Sequence, residues 1–343
     1  MTRRPCSTRS TRPLALAAGA LAAAVLLGGC GDATETLVGM RPAPAEKTAT
    51  APLDPDGATA IATRLLTEAD TPAEGDAAAQ KAARAKVFTG DALALAEARA
   101  QRPVPATAAG DAALATGPTP TVVAQSQGRD WPRAILAATL DADTNTQYLH
   151  VMLSEEPDEP FRIAASVPMF AGAQLPAVGT EATGAPLLDP KASEGLATSP
   201  EKAVAAYAAA IAQPKGKASP AVDVTDPFAT GLRTAAATQA KSLGKLATLT
   251  QVHEPRLEKA LTFRLARGGA VTFALMQRTD TITVRPTAKE IVLPKVYADL
   301  VKKKKVTRSL VLNNLEAVVV VVPATGAATV IGADELLVSG RGR

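Results

Sequence analysis

Two segments of the chain carry apolar residues at helical spacing directly after a start signal. Asp54-Pro55 precede the first segment and Ser199-Pro200-Glu201 precede the second. A small polar residue followed by proline is typical of an N-cap and the first helical position. The apolar residues fall on one helical face in each case: Ile61, Leu65 and Leu66 in the first, and Val204, Tyr207 and Ile211 in the second. The pattern predicts a helix at each place.

A similar short sequence precedes the next predicted helix of each half. Val87-Phe88-Thr89-Gly90 comes before an alanine-rich stretch that ends near Arg102. Phe228-Ala229-Thr230-Gly231 takes the same place before Lys241. We interpret both as turns that begin a second helix.

Alternating apolar and polar residues predict two hairpins. In the first, residues 133–140 and 147–153 flank the turn-rich stretch 141–145. In the second, residues 257–265 alternate, Gly268-Gly269 form the turn, and residues 271–284 return. Each half is therefore expected to contain an antiparallel sheet.

The C-terminal region predicts two more strands, 307–322 and 328–338, separated by Pro323-Ala324-Thr325-Gly326. Residues 318–322 are all valine and show no alternation. A strand that is apolar on both sides is typical of the interior of a sheet that is covered on both faces. We expect Val320 to be fully buried.

The N-terminal residues have the organisation of an export signal. Arg3, Arg4, Arg9 and Arg12 precede an apolar stretch from residue 14 to residue 27, with no acidic residue among them. This stretch is shorter than the roughly 20 residues that cross a bilayer as a helix. We interpret residues 1–29 as a signal peptide for general secretion, with a twin-arginine signal as the less favoured alternative because Pro5-Cys6 follow the arginine pair.

Leu27, Gly28, Gly29 and Cys30 resemble the bacterial lipobox, in which two small residues precede a cysteine that is diacylated and becomes the new N-terminus. This resemblance implies lipidation of Cys30 and a membrane partner bound through the diacylglyceryl anchor, since two acyl chains are enough for stable anchoring. The implied location is the outer face of the cytoplasmic membrane. The alternative is an ordinary secretory signal whose cleavage site contains a cysteine.

Charge and cysteine content change once the signal is removed. Residues 1–29 hold four of the 37 Lys and Arg residues and none of the 33 Asp and Glu residues, so the remaining chain is balanced. Nucleic-acid binding therefore has no electrostatic support. Cys6 leaves with the signal and Cys30 carries lipid, so we expect no disulfide in the mature chain.

Composition divides the remaining chain into two parts. Residues 30–52 and 171–197 are rich in Pro, Gly and small polar residues, which predicts a flexible tether and a linker. They delimit two domains, 53–170 and 198–340, in which helices precede an antiparallel sheet. The predicted fold class is α+β with two similar domains.

This order of elements resembles the cone-shaped NTF2-like fold, in which a curved sheet wraps a long helix. With the lipobox and the Phe-Thr-Gly turns included, residues 27–340 resemble a group of uncharacterised actinobacterial lipoproteins with tandem NTF2-like domains. The resemblance implies a fold and a location, and it implies no activity.

Three residues are candidates for the lining of a pocket: Trp131, Tyr148 and His150. Alternation places Tyr148, His150 and Met152 on one strand face, and NTF2-like enzymes commonly use an Asp/His pair in their pocket for proton transfer. No carboxylate lies at matching alternation beside His150, which favours a structural histidine. For His253, at a predicted strand start, we expect a structural role, and for Trp131 a place in the core.

Lys302, Lys303, Lys304 and Lys305 form the strongest charge run of the mature chain. A solvated strand start is the favoured interpretation, and contact with an anionic surface is the alternative. The stretch 141–145 resembles the start of a calcium loop but lacks its later glycine and glutamate. We expect no metal and no cofactor.

These observations favour a lipid-anchored, non-catalytic binding or scaffolding protein of the cell envelope. Its partners would be envelope proteins or a small apolar ligand. One alternative is a carrier, which needs an open apolar cavity of about 300 Å³ or more. The other is an enzyme that uses an NTF2-like pocket, which needs a polar pair inside the cone.

Overall fold

Two antiparallel sheets, each covered by helices on one face, form the framework of the protein. The computed structural model describes residues 50–101, 120–180 and 183–343. The predicted signal peptide, lipobox and Cys30 lie outside these residues, as does nearly all of the predicted tether. Residues 48–343 form one compact unit.

The described residues contain six helices and eleven strands. The helices are α1 Pro55–Asp70, α2 Ala77–Val87, α3 Gly90–Ala100, α4 Pro200–Ile211, α5 Pro227–Leu243 and α6 Lys295–Val301. The strands are β1 Thr121–Gln125, β2 Arg133–Asp141, β3 Thr146–Ser154, β4 Arg162–Pro168, β5 Leu187–Leu188, β6 Ala247–Arg264, β7 Ala270–Val284, β8 Ile291–Val292, β9 Lys305–Val306, β10 Ser309–Val322 and β11 Thr329–Gly342. The fold class is α+β.

Both predicted helix starts are confirmed by their caps. The Asp54 carboxylate accepts a hydrogen bond from the Gly57 amide at 2.7 Å, and the Ser199 hydroxyl accepts one from the Lys202 amide at 3.3 Å. Each satisfies an amide that has no partner within its own helix. Helix α2 was not predicted, because Val87 is its only buried residue and no apolar stripe marks it.

The two Phe-Thr-Gly sequences have different structures, contrary to the prediction. Phe88 ends α2, and Gly90 begins α3 with φ of 54°. Phe228 and Gly231 instead lie within the first turns of α5, which Asp226 caps one residue before Pro227. The Asp-Pro pair, which was not recognised as a start signal here, determines where α5 begins.

The first sheet is a four-stranded meander in the order β1-β2-β3-β4. The predicted hairpin of residues 133–153 is confirmed, and the Asp141 carboxylate accepts amide hydrogen bonds from Asp143 and Thr144 within its turn. Strand β1 is an edge strand of five residues with a register shift between Val122 and Ala124. The sequence did not predict it.

The second sheet has the order β11-β10-β7-β6-β5. The predicted hairpin and the two C-terminal strands are confirmed, but β6 begins at Ala247 and not at residue 257. A register shift between Arg256 and Leu261 interrupts the alternation after Pro255. Because the bulge breaks the alternation, the sequence pattern did not predict the first half of β6.

The valine run in β10 is a central strand covered on both faces, as predicted. Val319 and Val321 face the first sheet, whereas Val318, Val320 and Val322 face α4 and α5. Val320 is 1% exposed.

The two sheets pack against each other and share one core. Leu136 and Val151 of the first sheet contact the same cluster as Phe273 and Val319 of the second. Helices α1–α3 cover the outer face of the first sheet, and α4 and α5 cover that of the second. The layers are therefore helix, sheet, sheet and helix.

Residues 171–197, the predicted linker, take part in this packing. Val178 and Ala185 are buried in the core between the sheets, and β5 pairs with the edge of β6. At the start of the segment, the Phe170 amide donates to the Ile331 carbonyl at 2.9 Å. Gly332 permits this approach, because a Cβ there would lie 2.5 Å from the Pro168 carbonyl oxygen. The proposed domain boundaries stay predictions.

Candidate functional site

His150 is enclosed on β3 with both ring nitrogens bound. Its Nε2 lies 2.8 Å from the Thr139 hydroxyl and its Nδ1 lies 3.0 Å from the Ser166 hydroxyl. A hydroxyl can donate or accept, so these two partners satisfy a neutral imidazole in either tautomer. The arrangement is that of a structural histidine.

Burial controls the protonation of His150. The residue is 0% exposed, and removal from solvent lowers the pKa of the imidazole from 6.5 to about 4. Among the residues that the structure describes, the ring has hydroxyl partners and no carboxylate partner. The ring is therefore neutral at physiological pH.

The three predicted pocket residues do not form one site. Tyr148 stacks on His150 with ring centroids 6.2 Å apart. Trp131 lies at the other end of β3, where its Nε1 donates to the Ser154 hydroxyl at 3.2 Å. The guanidinium of Arg133 covers its ring at 3.7 Å from the centroid. Trp131 belongs to none of the four apolar clusters, so the expected place in the core is not observed.

A buried charged cluster, which sequence reasoning missed, surrounds His253. The residue lies within β6 and not at a strand start, and its Nδ1 is 2.8 Å from the Glu316 carboxylate on β10. Arg278 on β7 donates to the same carboxylate at 2.8 Å. The side chains of His253 and Glu316 are both 0% exposed. A glutamate two residues before the valine run was the available signal.

Arg278 is the centre of this cluster. Although burial opposes its charge, the carboxylates of Glu335, Glu316 and Asp280 raise its pKa above the ordinary range. Burial in turn raises the pKa of Asp280, which Arg278 partly offsets. Asn314 donates to Asp280 at 3.2 Å. The cluster is a buried ion network that connects β6, β7, β10 and β11.

Three polar atoms of the cluster are buried without a hydrogen-bond partner among the described residues: His253 Nε2, Gln251 Oε1 and Asp280 Oδ1. Asp280 Oδ1 lies 3.1 Å from Arg278 Nε in an ion pair. An imidazole whose Nδ1 donates to a carboxylate can present Nε2 as a base. Neither the His253 nor the Glu316 side chain reaches solvent, however. The His253–Glu316 pair has the residue types of a proton-transfer site, but it is closed to solvent like a structural ion network.

An open cleft of about 670 Å³ lies in the helix layer of the first sheet, between the end of α1, α2 and α3. Its apolar part is lined by Ala69, Ala73, Ala83, Val87, Phe88 and Ala96. Its volume exceeds the lower limit for a small-ligand site and falls within the usual range.

Basic side chains line the cleft beside this apolar surface. Arg84, Lys86 and Arg99 contribute cations, and Glu68 and Asp70 contribute carboxylates. Glu68 is paired with Arg64 on α1, and Arg99 is paired with Asp334 on β11. Arg84 Nε is buried and has no hydrogen-bond partner within the described part of the chain. A cleft of this kind suits an apolar tail with an anionic head.

The four lysines of the charge run follow α6 and lead into β9. All four are exposed, and Lys303 Nζ donates to the Gly342 carbonyl at 3.0 Å. Lys305 forms an ion pair of 2.7 Å with Glu290. As predicted, the run surrounds the start of a strand.

Among residues 50–101, 120–180 and 183–343, no group of three or more His, Cys, Asp or Glu side chains is placed to hold a metal ion. None of the described helices is long and apolar enough to cross a membrane.

Comparison with known proteins gives a family for the chain. No curated protein and no solved structure shows significant similarity to it. The family model described as "Domain of unknown function (DUF8094)" matches residues 76–342, a range that includes both sheets and five of the six described helices. The chain belongs to the DUF8094 family.

Proposed function

We propose that the protein is a lipid-anchored, non-catalytic binding protein on the outer face of the cytoplasmic membrane, built from two NTF2-like domains. We further propose that it holds a small amphiphilic ligand in the cleft between α1, α2 and α3. The cleft of about 670 Å³ is the observation that supports a ligand-binding function. The lipobox supports the location.

The order of elements supports the pair of related domains. In the first half, α1–α3 precede four strands that pair in chain order. In the second half, α4 and α5 precede β6, β7, β10 and β11, which also pair in chain order. Strand β1, which the sequence did not predict, is the counterpart of β6. Each half therefore has helices on one face of a four-stranded meander. The second sheet has β5 as an additional strand at the edge of β6.

The ligand class follows from the lining of the cleft. Val87 and Phe88 provide apolar surface for an alkyl chain. Arg84 lines the same cleft, and a guanidinium can pair with a carboxylate or phosphate head through its terminal nitrogens. A single-chain anionic amphiphile matches both parts. Catalysis is the weaker alternative, because the His253–Glu316 pair is closed to solvent.

A cavity-filling substitution tests ligand binding. We expect a fluorescent long-chain fatty acid to bind residues 48–343 saturably and Ala96→Trp to weaken binding at least about tenfold, because Ala96 lines the cleft. Ala100→Trp, at the exposed end of the same helix, is the control and should bind as the parent does. Fluorescence titration measures both. Equal affinities of the two variants would contradict the proposed site.

A substitution of Arg84 tests recognition of the anionic head group. Arg84→Gln should weaken binding of the fatty acid and leave binding of the uncharged alcohol with the same chain unchanged. An equal loss for both ligands would show that Arg84 does not recognise the anionic head.

The anchor is tested by cell fractionation. Cys30→Ala removes the thiol that carries the lipid, so we expect the protein in the soluble fraction or left unprocessed. The membranes are washed in high salt, because electrostatic attachment is screened there and a lipid anchor is not. A fully processed Cys30→Ala chain that withstands this wash would contradict lipid anchoring.

A further inference from the structure

One end of the second sheet concentrates positive charge. Strands β6 and β10 begin there and β7 and β11 end there, with α6 and the β8–β9 pair beside them. Arg308 ties these elements together: its carbonyl accepts from the Val284 amide at 2.8 Å, and its amide donates to the Arg343 carbonyl at 2.9 Å. We name this region the basic end. Its exposed cationic residues are Lys245, Arg285, Lys289, Lys295, Lys302, Lys303, Lys304, Lys305, Arg308, Arg341 and Arg343.

Few carboxylates balance this charge. Between residues 285 and 308, only Glu290 and Asp299 are acidic. Glu290 pairs with Lys305 at 2.7 Å and Asp299 pairs with Lys295 at 2.6 Å. The remaining cations face solvent without such a partner in the described residues. The run of four lysines is thus one part of a larger basic surface that the fold assembles from distant segments.

Exposed aliphatic side chains lie among these cations. Val292 is 73% exposed and Val296 is 40% exposed. Val292 on β8 pairs with Lys305 on β9, so the most exposed valine is a direct neighbour of the charge run. Leu246, 50% exposed, accepts from the Arg285 amide at 2.8 Å through its carbonyl. A site for a soluble polyanion gains nothing from exposed valines, whereas a bilayer interface accommodates both cations and apolar side chains.

We propose that the basic end docks on an anionic phospholipid bilayer, with the lysines at the headgroups and Val292 and Val296 at the boundary of the acyl region. Each lysine near a charged membrane surface strengthens binding. The proposal rests on the proposed location, where the Cys30 anchor would hold the chain at the membrane. The contact then orients the protein on the surface.

The tether allows this orientation. About 20 residues separate Cys30 from Thr50, and a chain of that length spans at most about 70 Å. This is longer than a domain of ordinary size is wide. An anchor at Cys30 is therefore compatible with contact of the basic end with the same membrane.

Vesicle sedimentation of residues 48–343 tests the proposal without the lipid anchor. We expect binding to phosphatidylglycerol vesicles and none to phosphatidylcholine vesicles. A variant with the four lysines of residues 302–305 changed to Gln should bind at least about 100-fold more weakly. The matched control changes four exposed lysines elsewhere to Gln: Lys191, Lys202, Lys215 and Lys217. It has the same net charge and should bind nearly as the parent does.

A second variant separates a bilayer from other anionic surfaces. Val292→Ser with Val296→Ser keeps the charge and should weaken vesicle binding at least about fivefold, with no effect on retention by a sulfated polysaccharide resin. Unchanged vesicle binding by this variant would overturn the bilayer assignment in favour of a soluble or wall polyanion. Equal losses in the lysine variant and its control would overturn the docking surface itself. Neither outcome affects the cleft, which Ala96→Trp tests separately.

Discussion

At the scale of single residues, the two histidines of the chain have opposite surroundings. His150 is bound by two hydroxyls from neighbouring strands, and His253 is bound by a carboxylate. Alternation along β3 correctly placed Tyr148 and His150 on one face. The partners were not predictable, because they come from strands β2, β4 and β10, and strand register depends on tertiary packing that local patterns do not encode.

The burial of His150 predicts a pH-dependent stability. Its pKa of about 4 lies below the value of 6.5 in an unfolded chain, so the unfolded state binds more protons between these values. The free energy of unfolding should therefore fall as the pH drops from about 6.5 to 4, by about 3 kcal/mol from this residue. Above pH 6.5 this contribution is constant.

Nuclear magnetic resonance titration measures the pKa of His150 directly. The signals are simple to assign, because the chain has only two histidines. Denaturant unfolding should show a loss of about 2 kcal/mol from His150 between pH 7 and pH 5. Asp91 offsets part of it, because burial raises the pKa of its carboxyl to about 6 and the folded state therefore binds this proton more readily. An imidazole of His150 that titrates near 6.5 in the folded protein would contradict the assignment.

At the scale of elements, the length and regularity of a segment decided what could be predicted. Strands β7 and β10 have long apolar patterns and were recognised, whereas β1 has five residues at an edge and α2 lacks an apolar face. The bulge after Arg256 concealed the start of β6. Local patterns fail where an element owes its structure to pairing with a neighbour and not to its own periodicity.

The two faces of the second sheet supply a matched pair of valine substitutions. Val320→Ala removes two methyl groups from the buried centre of β10 and should lower the free energy of unfolding by about 2 kcal/mol. Val252→Ala changes a valine of β6 that is 49% exposed, and should stay within about 0.5 kcal/mol of the parent. Chemical denaturation measures both. Equal effects would show that β10 is not the buried central strand.

At the scale of the whole molecule, the two halves depend on each other through the core between the sheets. Phe263 and Val271 of the second sheet contact the same cluster as Leu136 and Leu149 of the first. Arg99 on α3 forms an ion pair with Asp334 on β11 and adds a polar connection. Composition suggested a division at residues 171–197 but gave no sign of this packing, because a Pro- and Gly-rich segment can be buried without any apolar periodicity.

This shared core predicts a single unfolding transition for residues 48–343. Trp131 is the only tryptophan of the chain and lies in the first half, so its fluorescence reports on that half. Val271→Ala, in the second half, should lower the midpoint of the Trp131 transition together with that of far-ultraviolet circular dichroism. The exposed Val252→Ala substitution should shift neither. If Val271→Ala left the midpoint of the Trp131 transition unchanged, the two halves would unfold independently.

The packing of sheet against sheet also bears on how such a chain could arise. Either half alone would leave uncovered the sheet face that now meets the other, and an apolar face of that size promotes association. If the halves descend from one ancestral domain, that ancestor would have been stable mainly as a pair of identical subunits. Gene fusion would then have enclosed a former subunit interface within one polypeptide, with the close contact of Pro168 and Gly332 at the junction.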